Sequence, residues 1–119
     1  MKLQECYIAM NGDYEDVLRR ISREKSVVKF LRRFAENKEF EELEKAVSEK
    51  NYQRVFELSH DIKGMAANLS ISGLQRIVSE ICEQTRDREP DGDLDEMMLK
   101  AKEEYGRVIA AIGELEDIE

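Results

Sequence analysis

The sequence has few residues that break a helix, with one Pro and six Gly in 119 residues. So few turn-forming residues argue against a β-sandwich or barrel, whose short strands need frequent turns. The abundance of Glu, Lys, Arg and Leu favours helices instead. The sequence also has only one histidine, His60, which excludes zinc sites that need two or more His ligands.

Cysteine is scarce as well, and the two present, Cys6 and Cys82, lie far apart without CxxC spacing. Cys82 falls in an apolar helical stripe, so we expect a small core side chain rather than a redox or metal site. No apolar run approaches the roughly 20 residues that a membrane span needs, and residues 1–6 contain no signal-peptide core. We therefore expect a cytoplasmic protein.

Negative charge predominates, since 27 Asp and Glu against 19 Lys and Arg give a net charge of −8 at pH 7. A surface of this sign repels phosphate backbones and anionic lipid head groups. We therefore expect neither a nucleic acid nor a membrane surface as a partner. The balance of 41% hydrophobic and 39% charged residues fits a folded soluble protein, and residues 1–119 are predicted to form a single domain.

Apolar residues recur at helical spacing through most of the chain, and no segment has a convincing strand pattern. From Leu94 to Leu115 they alternate in steps of four and three, which is typical of helices packed at shallow angles. Because the connections are short, we expect successive long helices to run antiparallel. The predicted fold is all-α, an antiparallel up-down four-helix bundle with a short extra N-terminal helix. Helices are predicted over residues 13–20, 23–36, 40–49, 51–69 and 72–86, with a break near residues 36–38 and a last helix capped by Asp93.

The helix predicted over residues 51–69 carries the histidine. At about 100° per residue, His60 lies far around the helix from the apolar arc and points toward solvent. Phe56 lies one turn before it, Lys63 three residues after it, Gly64 one turn after it and Ala67 two turns after it. A glycine in mid-helix costs roughly 1 kcal/mol relative to alanine, so we expect one where something must approach His60 closely. The predicted core arc consists of Val55, Leu58, Ile62, Met65, Ala66 and Leu69.

Residues 60–69, HDIKGMAANL, resemble the HxxKGxAxxL signature of histidine-containing phosphotransfer (Hpt) domains. The resemblance extends over nearly the whole chain. Residues 12–18 look like the first helix of the family, and Phe30 and Phe34 look like the aromatic residues of its second helix. Residues 51–52, Asn-Tyr, resemble the Asp-Tyr or Asp-Trp pair that often opens the histidine helix.

Two residues depart from the family pattern. Ser70 stands just past the helix where many members have Gly. Asp61 follows the histidine where Thr or Ser is commoner, and it adds negative charge beside the motif. Ser70 therefore affects the turn after the helix, and Asp61 affects the electrostatics of the site.

The resemblance implies a phosphoryl carrier. An Hpt domain accepts a phosphoryl group from an aspartyl phosphate of a receiver domain, holds it on an imidazole nitrogen and passes it to another receiver. Here His60 would be the phosphorylated nucleophile through its outward nitrogen, Nε2, which must be neutral to attack. Lys63 would stabilise the charge of the phosphoryl oxygens, and Gly64 would leave steric access.

The implied partners are receiver domains of response regulators or of hybrid histidine kinases, docking over Phe56, Ser59 and Ala67. The receiver would supply the metal ion and the acceptor aspartate, so we expect no cofactor in this chain. No glycine-rich nucleotide loop is present, so we expect neither ATP binding nor autokinase activity. We expect a monomeric carrier rather than an enzyme.

Two alternative functions are compatible with the same residues. The chain could be an Hpt-like interaction module that binds a receiver or a histidine kinase without carrying phosphate. It could also be the phosphate-accepting domain of a chemotaxis-type kinase, whose signature is similar. The presence of His60, Lys63 and Gly64 together favours the carrier over the interaction module, which should lose the histidine.

Overall fold

The fold is all-helical, as seen in a computed structural model that describes residues 1–118. Within these residues there are seven α-helices and no β-strand, which confirms the predicted helical class. None of the helices is both long and apolar enough to cross a membrane. The helices are α1 (Leu3–Ala9), α2 (Tyr14–Arg20), α3 (Glu24–Glu36), α4 (Glu39–Ser48), α5 (Tyr52–Asn68), α6 (Ser72–Gln84) and α7 (Leu94–Gly113).

Three helices begin at side-chain caps. Asp13, Asn51 and Asp93 each accept a hydrogen bond from the backbone N–H three residues later, at 2.9, 3.3 and 3.0 Å. Such a cap satisfies one of the amide donors that the first turn leaves unpaired. With these starts, the observed ends of α2 to α6 agree with the sequence prediction to within two residues.

The first helix is missing from the sequence prediction, which begins at residue 13. In α1 and the residue beside it, Leu3, Cys6, Tyr7 and Met10 are buried at the spacing i, i+3, i+4, i+7. This is the pattern of an amphipathic helix, so the signal was present. Its shortness, seven residues, makes such a pattern easy to overlook.

The predicted break between α3 and α4 is confirmed. Asn37 leaves the helical conformation, with φ −69° and ψ 138°. Its side-chain oxygen accepts a hydrogen bond from the backbone N–H of Glu39 at 2.7 Å, which fixes the start of α4. The side chain therefore replaces the helical bonds that are lost at the break.

The histidine helix α5 packs between α4 and α6, while α7 packs against α6, α4, α3 and α1. Val55, Leu58, Ile62 and Ala66 of α5 are buried as predicted. Met65, which was predicted in the same core arc, is only half-buried. The prediction overestimated the burial of Met65, because this residue lies at the edge of the arc.

The N-terminal segment anchors the end of α5. The Tyr7 hydroxyl donates to the carbonyl of Leu69 at 2.7 Å, and the Asp13 amide donates to the carbonyl of Ser70 at 2.8 Å. The Gly73 amide donates to the carbonyl of Asn11 at 3.0 Å, so the start of α6 is held as well. These bonds hold the turn that follows the histidine helix.

Candidate functional site

His60 lies on the exposed side of α5, on the opposite face from the buried residues of that helix. With about 100° per residue, it is about 160° from Ile62, at the centre of the core face. The packing that buries one face of α5 therefore leaves the imidazole open to solvent. Any group that reacts with His60 has to come from outside the chain.

A half-buried aromatic ring borders the histidine. The ring centroids of Phe56 and His60 are 6.0 Å apart, and the two rings are tilted by 40°. The Arg86 guanidinium carbon lies over the same ring, 5.1 Å from its centroid. This is cation–π distance, so the Phe56 ring holds a positive charge one turn away from the imidazole.

Arg86 was not among the site residues that the sequence predicted. It lies in the turn after α6 and also donates to Glu83 at 3.0 and 3.2 Å. Nothing in the local sequence distinguishes it from other arginines, since its place beside Phe56 depends on how α6 packs against α5. The structure therefore adds a second cation to the surroundings of the histidine.

Lys63 lies three residues after His60 and is half-buried. Among residues 1–118 it has no ion pair, although several other lysines on the surface do. The nearby Glu83 is engaged by Arg86, which is the main reason that the pKa of this carboxyl is lowered, with a smaller effect from Lys63. Lys63 is thus about one helical turn from His60, and its charge has no direct partner among residues 1–118.

Gly64 lies over open space. A Cβ atom added there would meet nothing within 4 Å, and the same is true of Gly106 in α7. Openness alone is therefore not a mark of function. What distinguishes Gly64 is its position one turn after the exposed His60, where a larger side chain would reach into the space above the imidazole.

The docking residues predicted around the histidine are not all on the surface. Ala67 is half-buried, like Phe56 and Lys63. Ser59 is fully buried, and its hydroxyl donates to the carbonyl of Phe56 at 3.1 Å. The assignment of Ser59 to the docking surface was wrong because one residue step rotates it about 100° from His60, toward the core.

The other flank of the histidine is acidic. Glu39 at the start of α4 faces Asp61, and its Oε2 atom is buried without a hydrogen-bond partner among the described residues. Burial is the main cause that raises the pKa of Glu39, and the Asp61 carboxyl adds to it. The site therefore has cations on the α6 side and carboxyls on the α4 side.

The turn after α5 accounts for one departure from the family pattern. Ser70 adopts a left-handed conformation with φ 54°, which glycine adopts most readily. Its buried hydroxyl donates to Asp16 at 2.7 Å. This hydrogen bond is the main cause that lowers the pKa of Asp16, with help from Arg20. A hydrogen bond that glycine could not make thus holds the serine in this conformation.

Residues 1–118 contain no group of three or more His, Cys, Asp and Glu side chains that could hold a metal ion. What the site does offer is one exposed imidazole, a lysine three residues after it, an arginine on the neighbouring Phe56 ring and open space at Gly64. This arrangement suits a nucleophile that meets a negatively charged group held by another molecule.

A family model described as Hpt domain matches residues 29–117, which include the whole of α4, α5, α6 and α7. Searches of curated proteins and of solved structures gave no significant match. The matched region is well over half of the chain and contains His60. The chain belongs to the Hpt domain family, whose members are phosphotransfer carriers that interact with receiver domains in two-component phosphorelays.

Proposed function

We propose that this protein is a phosphorelay intermediate that accepts a phosphoryl group on His60 from a receiver-domain aspartyl phosphate and passes it to another receiver. The observation that carries the proposal is the exposure of His60, the only histidine of the chain, inside the region that matches the family. No other side chain of this sequence can form a phosphohistidine.

In the proposed step, a lone pair of the neutral His60 imidazole attacks the phosphorus atom of the aspartyl phosphate. An N–P bond forms as the P–O bond breaks, and the aspartate of the receiver leaves as a carboxylate. The reverse step, on a second receiver, returns the phosphoryl group to an aspartate. The metal ion that assists such transfers belongs to the receiver, so this chain needs no cofactor of its own.

The electrostatics of the site support a direction of approach. Lys63 and Arg86 lie on the α6 side of His60, and Asp61 and Glu39 lie on the α4 side. Phosphoryl oxygens are stabilised by the cations and repelled by the carboxyls. We therefore expect the phosphoryl group to lean toward Lys63, over the space that Gly64 leaves open.

The surface that a receiver covers would be centred on His60. Its inner members are Phe56, Lys63, Gly64 and Ala67, all of which are at least partly exposed. Transient signalling contacts are small, so the complex needs no large preformed groove. Ser59 supports this surface from below through its hydrogen bond to the Phe56 carbonyl.

We also propose that α4 to α7 form an antiparallel up-down four-helix bundle and that residues 1–119 make one domain. The contacts of α4 with α5, α5 with α6, α6 with α7 and α7 with α4 support a closed ring of neighbours. Backbone hydrogen bonds from Asp13 to Ser70 and from Glu116 to Met1 join the segment before residue 29 to the matched region.

We further propose a monomer that acts in the cytoplasm. Among the described residues, three large hydrophobic side chains are exposed, one each in α1, α3 and α7: Ile8, Phe30 and Leu99. Both cysteines are free and buried, which suits a reducing compartment. Sedimentation at several protein concentrations would test the monomer.

The experiment that tests the function is incubation of the purified protein with a panel of receiver domains carrying radiolabelled aspartyl phosphate. We expect label on this chain that is labile in acid and stable in base, as a phosphoramidate bond is. Binding of a receiver without transfer of label would support the interaction module instead. Label obtained only from an ATP-dependent kinase domain, and from no receiver, would support the chemotaxis-type domain.

A further inference from the structure

The positive charge of this acidic protein is concentrated in one segment. Seven of its 19 Lys and Arg residues lie within residues 19–33, together with only one of its 27 acidic residues. All seven are exposed, at the end of α2, in the following turn and along α3. We call them the basic face: Arg19, Arg20, Arg23, Lys25, Lys29, Arg32 and Arg33.

Part of the basic face has no ion-pair partner among the described residues. Asp16 pairs with both Arg19 and Arg20, and Asp117 pairs with Arg32 at 2.6 Å. The other four cations have no ion pair among residues 1–118. The one carboxylate of the segment, Glu24, accepts a hydrogen bond from a tyrosine hydroxyl instead. The unpaired cations are Arg23, Lys25, Lys29 and Arg33.

An apolar groove opens beside one of these cations, Arg33. It has a volume of about 370 Å³ and lies between α3 and the second half of α5. Phe30 forms one wall with 38% of its surface exposed, and Arg33 stacks over its ring at 5.8 Å. Ile21, Met65 and Leu69 also line the groove. It therefore combines an exposed aromatic ring with an arginine, two residue types that are enriched in the central contacts of protein interfaces.

The groove lies within reach of a partner that docks on His60. Met65 and Asn68 line it and follow His60 by five and eight residues, which is about 8 to 12 Å along the axis of α5. A typical interface buries about 800 Å² on each partner, so a patch centred on His60 extends roughly 15 Å in each direction. A receiver that reaches the imidazole can also cover the groove.

We propose that the groove and its unpaired cations select, among receiver domains, those that present an exposed apolar side chain ringed by carboxylates. This inference rests on the proposed function, because it assumes that a receiver docks over His60. Charge complementarity favours such an acidic protein surface as the occupant. A nucleic acid is disfavoured, since it would leave the apolar groove unused and would meet the net charge of −8 elsewhere on the chain.

The test compares two double charge reversals with the wild-type protein. Lys29→Glu/Arg33→Glu changes the basic face, and Lys100→Glu/Lys102→Glu changes two exposed lysines of α7 as a control. The measured quantities are the association rate with the receiver that labels His60, at low and high salt, and the thermal midpoint of each variant. Phosphoramidate, a small phosphoryl donor, reports the state of His60 without any receiver.

We expect the basic-face variant to associate about tenfold more slowly at low salt, with the difference shrinking at high salt, because attraction between exposed charges is screened. The control should change less than about twofold on the same grounds. Labelling by phosphoramidate should be equal in all three proteins. Phe30→Ala should mainly raise the dissociation rate, since it removes the apolar anchor rather than the charge.

Equal association rates for the two double variants would overturn the inference while the proposed function stands. Failure of every receiver to label the wild-type protein would overturn the proposed function and this inference with it. Binding of a 20-nucleotide single-stranded RNA that the basic-face variant loses would assign the face to nucleic acid. A dimer in sedimentation that the same variant loses would assign it to a second copy of this chain.

Discussion

Helices α5 and α7 contain similar residue types, but these residues have different neighbours in the structure. Each carries an exposed glycine over open space, Gly64 in α5 and Gly106 in α7, and each contains lysine, one in α5 and two in α7. In α7 the lysines are paired, Lys100 with Glu96 at 3.7 Å and Lys102 with Glu44 at 3.4 Å. In α5, Lys63 has no ion pair among the described residues and lies beside an exposed histidine.

Their carboxylates differ in the same way. Glu104 of α7 is buried, but it accepts hydrogen bonds from Asn11 and Arg107, both at 2.8 Å. Glu39, which faces α5, has a buried oxygen for which residues 1–118 provide no hydrogen-bond partner. The two lysines and the buried glutamate of α7 are thus paired within the chain, whereas Lys63 and one oxygen of Glu39 have no partner among residues 1–118.

The largest expected effect is at the histidine. His60→Gln should abolish labelling by phosphorylated receivers, because the chain contains no other imidazole. The free energy of unfolding should change by less than about 0.5 kcal/mol, as expected for an exposed side chain. Labelling is measured by autoradiography and stability by urea denaturation. Label that persists on the folded variant would refute the assignment of His60.

A matched pair of glycine substitutions isolates the role of the space above His60. Gly64→Gln and Gly106→Gln should both leave the fold intact and stabilise their helices by about half a kcal/mol, because glycine is the poorer helix former. Only Gly64→Gln should block transfer, by about 100-fold, since the side chain displaces the reacting groups from their required geometry. Single-turnover transfer kinetics measure the difference. Equal rates in the two variants would remove the steric role of Gly64.

Charge reversal at Lys63 and at Lys100, which is ion-paired, compares the contributions of the two lysines to the transfer rate. Lys63→Glu should slow transfer by about 10- to 100-fold, the kinetic equivalent of one hydrogen bond to a charged group. It also adds repulsion against the phosphoryl group. Lys100→Glu, which changes an exposed ion pair of α7, should have little effect. If both reversals slowed transfer to the same extent, net charge rather than position would be responsible.

The smallest expected effect is a change in stability that tests the difference between the carboxylates of Glu39 and Glu104. Because the pKa of Glu39 is raised in the folded protein, the native state binds a proton more tightly than the unfolded state, and the charged form costs stability at neutral pH. Glu39→Gln should therefore raise the free energy of unfolding at pH 7 by up to about 1 kcal/mol. The gain should shrink as the pH falls through the raised pKa.

Glu104→Gln serves as the control for that substitution. It keeps one oxygen for Asn11 but loses the charge that pairs with Arg107, so it should destabilise the protein at pH 7. Urea denaturation between pH 4 and pH 8 measures both variants. A destabilising effect of Glu39→Gln at pH 7 would mean that the Glu39 carboxylate is satisfied in a way that its contacts do not indicate.

Much of the fold and the centre of the site could be predicted because their signals are local. The period of apolar residues placed α2 to α6 within two residues, and the caps at Asp13, Asn51 and Asp93 marked their helix starts. Counting about 100° per residue placed His60 opposite the core face of α5, as observed. The short α1 was missed, although its buried residues have helical spacing.

What the sequence alone determined is therefore the helical class, the exposed face of α5 with His60 and Gly64, and the likeness to the Hpt family. The helical class and the exposed face follow from residue spacing within single helices, whose geometry is regular and can be counted, and the likeness rests on motifs along the chain. Tertiary structure decided the rest: Arg86 over Phe56, Glu39 against Asp61 and the groove between α3 and α5. These contacts join residues from different helices, and only the packing of whole helices sets their height and rotation relative to one another.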